Sequence, residues 1–318
     1  MAKLWNLAKH GIPYQGSKTA IVDKIARYFP NADNFYDLFG GGFSVTHYMM
    51  EYRAKSYKHF HFNEIRSGVC ELIKDAMYGK YNYNVFKPDW ITRKRFMSEK
   101  ETNAYIKIIW SFGNNGENYL FGKELESTKR SMHQAVVFDE FDDFVIKTFK
   151  ITKWPSGLSI KEKRLHLKLL LKNLKRVELQ QLQQLQQLQQ LQQLQQLERL
   201  QQLERLQQLE RLNLTNLDYR DVVIKENSVI YCDIPYEGTT DYGLSFNHKL
   251  FFDWAASQAF PLFISEYEVK DDRFYLLKEI SHRTTFASGK NDEVKERLYC
   301  NKIAYDIIQQ KIASKPNI

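Results

Sequence analysis

The chain has 318 residues, of which 43% are hydrophobic and 14% are aromatic. This length is enough for one large domain or two small ones, and the composition excludes a largely disordered chain. The sequence contains no run of about 18 apolar residues, which excludes a membrane-spanning helix. We therefore expect a cytoplasmic protein without a membrane partner.

The three cysteines, Cys70, Cys232 and Cys300, are odd in number and far apart. They predict neither a disulfide framework nor a CxxC metal site, so we expect a reducing compartment and no bound metal. The formal net charge is +8, and residues 86–178 alone hold 19 Lys/Arg and 12 Asp/Glu. A basic block is typical of proteins that bind a polyanion such as DNA, RNA or anionic lipid, although a solvated basic surface is an equal alternative.

The first motif along the chain is YQGSK, from Tyr14 to Lys18. A glycine turn that places a lysine at the start of a helix can hold a carboxylate, and the alternative is an ordinary helix start. An apolar run at 31–45 then leads into FGGGF, from Phe39 to Phe43. Glycines directly after a strand let the backbone turn tightly and approach a ligand, although a plain tight turn fits the same residues.

Helical and strand-like segments alternate along the rest of the first part of the chain. A helical pattern at 45–53 is followed by a strand-like segment at 59–65 and by a second helical pattern at 67–78. Asn63 and Glu64 close the strand-like segment, where an acid can accept hydrogen bonds from a ribose, although an ordinary exposed glutamate fits equally. The alternation predicts an α/β fold with a parallel sheet and with ligands at the strand ends.

A triplet repeat is the most visible feature of the sequence. Leucine occupies every third position from Leu179 to Leu212, and the gaps hold Gln-Gln or Glu-Arg. These residue types predict a helix, which extends the basic, leucine-rich helical pattern at 159–178. In an α-helix each leucine falls about 60° behind the last, so a coiled-coil seam fits poorly over this length. The alternatives are a solenoid with a three-residue period and a low-complexity insert without a chemical role.

A tetrapeptide follows the apolar run that begins at Ser228. It is DIPY, from Asp233 to Tyr236, and it places a carboxylate, a backbone carbonyl and an aromatic ring together at a strand end. A carboxylate and a carbonyl only accept hydrogen bonds, so they suit an amino group, and the ring suits stacking on a planar base. A turn that ends the strand is the alternative.

Taken in order, these motifs resemble those of the D12-class (Dam-like) DNA adenine-N6 methyltransferases. The segment YQGSK resembles the N-terminal YxGGK-type motif, and DLFGGGF at 37–43 resembles the EPFxGGG cofactor motif. The pair Asn63-Glu64 matches the motif that carries the ribose-binding acid, and FGNNG at 112–116 resembles a glycine-asparagine segment before the target-recognition region. The segment DIPY matches the [DNS]PP[YFW] tetrapeptide, with Ile234 in place of the first proline. The segments SEY at 265–267 and ERLY at 296–299 resemble later motifs of the same family.

The resemblance covers residues 10 to about 125 and 215–305, and not the leucine triplets. It implies a Rossmann-like methyltransferase sheet with helices on both faces and a mainly helical target-recognition region, to which the residue types of the repeat add a helix. Residues 1–80 and 213–318 would form the catalytic domain that binds S-adenosylmethionine, 81–178 the recognition region and 179–212 the repeat. The implied reaction is methyl transfer from S-adenosylmethionine to the N6 amino group of adenine in DNA after base flipping. The implied partners are double-stranded DNA and, in some family members, a cognate restriction nuclease.

The resemblance also assigns residues to roles. The catalytic residues would be Asp233, Ile234, Pro235 and Tyr236. The cofactor-binding residues would be Tyr14, Gly16, Lys18, Asp37, Phe39, Gly40, Gly42, Glu64 and Asp233, with Tyr14 and Lys18 at the methionine end. The candidate DNA contacts are Arg93, Lys94, Arg95, Asn114, Asn115, Arg130 and the helical segment at 161–176. Two alternatives remain at this stage, namely a cytosine-N4 DNA methyltransferase and a non-catalytic DNA-binding relative.

Overall fold

The computed structural model describes residues 10–174, 191–206, 209–237, 246–285 and 291–314. The α-helices are α1 (Val22–Ile25), α2 (Ser44–Tyr52), α3 (Val69–Met77), α4 (Arg93–Glu99), α5 (Ala104–Ile109), α6 (Lys123–Phe138), α7 (Asp143–Phe149), α8 (Ile160–Leu174), α9 (Gln192–Gln201), α10 (His248–Ala256) and α11 (Lys302–Ala313). The strands are β1 (Asn34–Asp37), β2 (His59–Asn63), β3 (Leu212–Thr215), β4 (Ser228–Asp233), β5 (Leu262–Glu266), β6 (Tyr275–Thr285) and β7 (Asn291–Cys300). Among these described residues, no helix has the length and hydrophobicity that crossing a bilayer requires.

The seven strands form one sheet in the order β3-β2-β1-β4-β5-β7-β6. Strands β1 to β5 pair in parallel, whereas β7 lies antiparallel between β5 and β6. All residues of β1 and β5 are buried, as expected for strands that helices cover on both faces. The mixed α/β fold that the sequence predicts, with a sheet and helices on both sides, is confirmed.

The chain divides into two compact units. The sheet unit takes its described residues from 1–11, 16–70 and 206–318, and the helical unit takes them from 12–15 and 71–205. The described part of the repeat up to residue 205 therefore belongs to the helical unit, whereas the sequence suggests a separate repeat segment at 179–212. The catalytic and recognition roles of these segments remain predictions.

Helices α6 to α9 build a hydrophobic core in the helical unit. Its buried residues are Met132, Ala135, Val136, Val137, Val145, Phe149, Trp154, Ile160, Leu167, Leu171, Leu191 and Leu194. The core thus joins leucines of the repeat with residues from three other helices. Residues 179–190 of the repeat lie outside the described residues.

The repeat leucines from Leu191 to Leu206 are buried in spite of their three-residue period. Helix α9 holds only three of them, so their backward rotation of about 60° per leucine stays within one broad face. The chain then continues as a 3-10 helix at Gln202–Arg205, and a 3-10 helix has about three residues per turn. Leu200, Leu203 and Leu206 are 0%, 0% and 9% exposed.

The polar residues between these leucines make contacts that depend on their identity. The Arg164 guanidinium donates two hydrogen bonds to Glu198, at 2.8 and 2.9 Å. Arg199 donates to the Ile12 carbonyl oxygen at 3.1 Å. The Gln193 amide lies 3.2 Å from His133 Nδ1, in the buried core. This part of the repeat is packed into the helical unit and is not a surface insert.

Replacing Leu197 by alanine should destabilise the helical unit by about 2–5 kcal/mol, because the side chain is fully buried. The matched control is Leu169→Ala on α8, whose side chain is 60% exposed, and it should change the free energy of unfolding by less than about 0.5 kcal/mol. Urea unfolding followed by tryptophan fluorescence measures both variants. Equal stability of the two would show that the repeat leucines do not pack as described.

Candidate active site at the carboxyl ends of β1 and β4

The sheet changes direction between β1 and β4. Strands β2 and β3 extend to one side of this pair and β5 to the other, and the amide of Leu38 donates to the Tyr231 carbonyl at 3.0 Å. In a doubly wound sheet, ligands bind beyond the carboxyl ends of the strands at this switch point. Strand β1 ends at Asp37 and β4 ends at Asp233, so two of the predicted site residues lie where the topology places a ligand.

The glycine turn after β1 is fixed by close packing. The Gly40 amide donates to the Asn63 carbonyl at 2.9 Å, and a Cβ on Gly40 would lie 2.0 Å from the Phe62 ring. Gly41 has a φ of 48°, a conformation that favours glycine. The Gly42 carbonyl oxygen would lie 2.1 Å from a Cβ on Gly11. Packing against its own fold therefore requires glycine at Gly40, whatever else the turn binds.

Glu64 connects the end of β2 to the glycine turn. One carboxylate oxygen accepts the Gly41 amide at 2.8 Å, and the other accepts the Arg66 amide at 3.0 Å. Burial raises the pKa of Glu64, while these hydrogen bonds and the Arg66 charge oppose the rise. The predicted ribose-binding acid thus also fixes the distance between the first turn and the second strand.

Asp37 is a buried carboxylate with an unsatisfied oxygen. Its Oδ2 accepts a hydrogen bond from the Thr46 hydroxyl at 2.8 Å, whereas Oδ1 has no hydrogen-bond partner among the described residues. Burial raises the pKa of Asp37 to about 7. A buried acceptor without a partner is costly, so this oxygen suits a donor or cationic group of a ligand.

Lys18 lies between the buried carboxylate of Glu296 and the carboxylate of Asp233, whose side chain is 19% exposed. Its Nζ is 2.8 Å from Asp233 Oδ1 and 2.8 Å from Glu296 Oε1, and its side chain is only 7% exposed. Burial lowers the pKa of Lys18, but the charges and hydrogen bonds of the two carboxylates outweigh this effect and raise the pKa above its usual value. The ammonium group of Lys18 is thus bound to Asp233 and Glu296, and its contact with the methionine end of a cofactor remains a prediction.

The environment of Asp233 combines opposing electrostatic effects. Burial raises the pKa of Asp233, the Lys18 charge lowers it and the Glu296 charge raises it again, which leaves the pKa at about 6. The Tyr236 hydroxyl donates to Glu296 Oε1 and lies 3.4 Å from Asp233 Oδ1. The contacts from Lys18 and Tyr236 both reach Oδ1 of Asp233.

The middle of the tetrapeptide has a structural role. The Ile234 side chain is 2% exposed and packs in the hydrophobic core beneath the site with Phe251 and Ala255. The Pro235 carbonyl oxygen lies 2.8 Å from His248 Nε2 on α10. An isoleucine in place of the family's proline therefore fills the core, and His248 holds the backbone that follows it.

The other predicted site residues occupy varied surroundings. Phe39 packs against the rings of Tyr219, Phe246 and Phe251, with centroids 5.2 to 5.6 Å apart. Gly16 has a φ of 77°, and its carbonyl oxygen is 3.5 Å from Lys18 Nζ. Tyr14 belongs to the helical unit. Contact of Phe39, Gly16, Gly42 or Tyr14 with a cofactor remains a prediction.

Glu296 is not among the predicted site residues, although its side chain reaches Lys18 and Tyr236. Glu296, Leu298 and Cys300 occupy alternate positions of β7 and are buried, as is Tyr299, and Lys295 before them is exposed. Alternate residues of a strand share one face. An acid in phase with buried apolar residues is the signal that could have identified Glu296.

Of the candidate DNA contacts, several make contacts within the helical unit. Arg93 donates to the Phe121 carbonyl and lies over the Tyr119 ring, and Arg95 pairs with Glu99 at 2.8 Å. The side chains of Asn114 and Asn115 bond to backbone groups and so help to build the turn at 112–118. Lys94 and Arg130 are exposed. A DNA contact of any of these residues remains a prediction.

Comparison with known proteins gives one family. A family model described as D12 class N6 adenine-specific DNA methyltransferase matches residues 14–253, about three quarters of the chain. No curated protein matches the chain. The matched range includes the glycine turn, Glu64 and the tetrapeptide, and it ends before Glu296.

Replacing Asp37 by asparagine should change how stability depends on pH. The folded protein holds the Asp37 proton up to a pH of about 7, against a usual pKa of 3.8. The folded state therefore binds more protons between these values, and Asp37 makes stability fall as the pH rises, by up to about 1.4 kcal/mol per pH unit. Urea unfolding at pH 4 to 7 should show a shallower fall for Asp37→Asn than for the exposed control Asp221→Asn. Identical pH profiles would contradict the raised pKa.

Proposed function

Because this chain belongs to the D12 class N6 adenine-specific DNA methyltransferases, we propose that the cluster at the carboxyl ends of β1 and β4 is its catalytic site. Enzymes of this class transfer a methyl group to the N6 amino group of adenine in DNA, and they generally take it from S-adenosylmethionine. The observation that carries the proposal is the position of Asp233 at the topological switch point, with Oδ1 held by Lys18 and Tyr236 and Oδ2 left to a substrate.

The residues near the switch point fit the cofactor. The unpartnered Oδ1 of Asp37 suits a cationic amino group such as that of the methionine part. Glu64 already accepts two backbone amides, but a carboxylate has about four acceptor sites, so it can also accept the hydroxyl groups of a ribose. Gly40 and Gly42 would approach the cofactor through their backbone. When bound, S-adenosylmethionine supplies a methyl group on a positively charged sulfur.

Asp233 and the Ile234 carbonyl would orient the target amino group. Each would accept one N–H of adenine N6, which turns the nitrogen lone pair towards the methyl group. The nitrogen must lose a proton as it becomes methylated, and a carboxylate with a pKa of about 6 can accept that proton near neutral pH. Orientation and charge stabilisation would then supply most of the rate, without a covalent enzyme intermediate.

Tyr236 would stack on the flipped base. Extruding an adenine from duplex DNA costs a few kcal/mol, and stacking on an aromatic ring together with hydrogen bonds to the base offsets part of this cost. The Tyr236 hydroxyl is bonded to Glu296, so the ring has a defined position before a base arrives. This pre-arrangement reduces the entropy lost on binding.

The helical unit would contribute the phosphate contacts that hold double-stranded DNA. On α8, Lys161, Lys168 and Lys172 are exposed, and their spacings of seven and four residues place them on one face of the helix. Three lysines aligned along one face of a helix can replace the counterions of successive phosphates. The basic excess of residues 86–178 supports the same surface. Association with a cognate restriction nuclease remains a prediction.

Replacing Asp233 by alanine should lower methyl transfer at least about 100-fold, because the acceptor of the N6 proton is lost. DNA affinity should stay within about threefold, since the phosphate contacts lie elsewhere. Transfer of a labelled methyl group to duplex DNA measures the first effect, and fluorescence anisotropy measures the second. The control is Asp272→Ala, an exposed acid of the sheet unit, and normal transfer by Asp233→Ala would refute the site.

Replacing Lys161, Lys168 and Lys172 together by glutamine should reduce the salt dependence of DNA binding. Losing three phosphate contacts lowers the slope of log K against log salt by about 2.7. Fluorescence anisotropy with one duplex at several salt concentrations measures the slope. A triple Lys→Gln variant at Lys249, Lys270 and Lys302 of the sheet unit has the same net charge and should keep more of the original slope. Equal slopes of the two variants would exclude α8 as the phosphate-binding face.

A further inference from the structure

Glu296 is a buried acid that the reaction proposed above does not use. It lies on β7, about 60 residues after the tetrapeptide, and its side chain is 5% exposed. An ionised carboxylate at this depth is costly unless it is paired. The contacts that compensate Glu296 are the ammonium of Lys18, at 2.8 Å, and the hydroxyl of Tyr236, and both groups also contact Asp233.

The Lys18 ammonium has three N–H donors, and because it lies between two carboxylates, these donors are shared between Asp233 and Glu296. One contact reaches Asp233 Oδ1 and another reaches Glu296 Oε1, both at 2.8 Å. Without the pull of Glu296, the ammonium group would move towards Asp233 and could bond to both of its oxygens. It would then occupy Oδ2, the oxygen that should accept the N6–H of adenine.

Tyr236 is held by the same carboxylate. Its hydroxyl donates to Glu296 Oε1, and its ring lies 4.9 Å from Lys18 Nζ. Glu296 therefore holds the two side chains that flank the Asp233 carboxylate, namely the charged Lys18 and the aromatic Tyr236.

We propose that Glu296 is a positioning residue of the methyltransferase site, which holds Lys18 and Tyr236 to one side of Asp233 and thereby leaves Asp233 Oδ2 open to the adenine amino group. The proposal rests on the function proposed above. It concerns a residue beyond the range that the family model matches. Glu296 touches neither the base nor the methyl group and acts through its two neighbours.

The charge of Glu296 has a second consequence. Lys18, Asp233 and Glu296 together carry a net negative charge, which favours the positive charge that develops on N6 as the methyl group arrives. The negative charge of Glu296 also raises the pKa of Asp233 and so makes Asp233 a better proton acceptor. Loss of this charge should lower the pKa of Asp233, and a role in packing alone would leave it unchanged.

The first test is Glu296→Gln, in a full-length enzyme assayed with labelled S-adenosylmethionine and duplex DNA. We expect kcat to fall about 10- to 100-fold, while the KM values for both substrates change less than about threefold. The acid limb of the kcat/KM profile, which for the unaltered enzyme should lie near the Asp233 pKa of about 6, should move to lower pH. The control is Glu279→Gln on β6, which removes a glutamate paired with Lys295 and Arg297 and should leave kcat and the acid limb unchanged.

Two further variants separate the charge of Glu296 from its position. Glu296→Asp keeps the charge but withdraws it by one methylene, so kcat should fall while the acid limb stays in place. Lys18→Met removes the opposite charge, so the acid limb should move to higher pH. If Glu296→Gln does not fold, the double variant Lys18→Met/Glu296→Gln avoids an unpaired buried charge, and its acid limb should lie below that of Lys18→Met alone.

The proposal is overturned if Glu296→Gln keeps kcat within twofold of the unaltered enzyme, or if it lowers kcat without moving the acid limb. It is likewise overturned if the double variant and Lys18→Met have the same acid limb. Failure of the underlying site assignment would give a different result, because Asp233→Ala would then still transfer the methyl group. A result in which Asp233 is essential and Glu296 is not would reject the positioning role alone.

Discussion

The site depends on the compensation of buried charge. Lys18 and Glu296 are buried and Asp233 is 19% exposed, and a fully buried ion without a partner would cost several kcal/mol. Together they form one network in which the ammonium group lies 2.8 Å from each carboxylate. Because the three residues come from the beginning, middle and end of the chain, the network can form only when the sheet unit is assembled. The network therefore depends on the folded sheet unit.

The sheet topology explains why these groups meet at all. Strand β4 lies beside β1 and not beside β3, so the strand that carries Asp233 ends next to the strand that carries Asp37. The antiparallel β7 then runs beside β5 and carries Glu296 back to the same end of the sheet. A purely parallel sheet would have no returning strand to place this acid opposite Lys18. The antiparallel strand in an otherwise parallel arrangement is thus what brings Glu296 to Lys18.

Much of the fold and part of the site could be predicted from the sequence. The strands β1, β2, β4 and β5 are apolar runs that end in turn residues, and the family motifs identify Asp233 and Glu64. The pattern of β7 could have identified Glu296 as a buried acid, but its partners could not be predicted, because Lys18 and Tyr236 are distant from it in sequence. The exact paths of α9 and the 3-10 helix after it could not be predicted either, since the leucine period alone does not say where one helix type gives way to the other.

The leucine triplets alone do not determine how the repeat is aligned against the rest of the helical unit. A slide of the chain by one triplet would exchange every buried leucine of 191–206 for another leucine, at almost no hydrophobic cost. The same slide would replace Glu198 and Arg199 by glutamines, and the partners of these two residues, Arg164 and the Ile12 carbonyl, lie outside the repeat and cannot follow. Hydrophobic contacts hold this segment in place, whereas its charged side chains select one of the several equivalent alignments. Besides Glu198 and Arg199, these include Glu204, which accepts a hydrogen bond from the Asn82 amide at 2.9 Å.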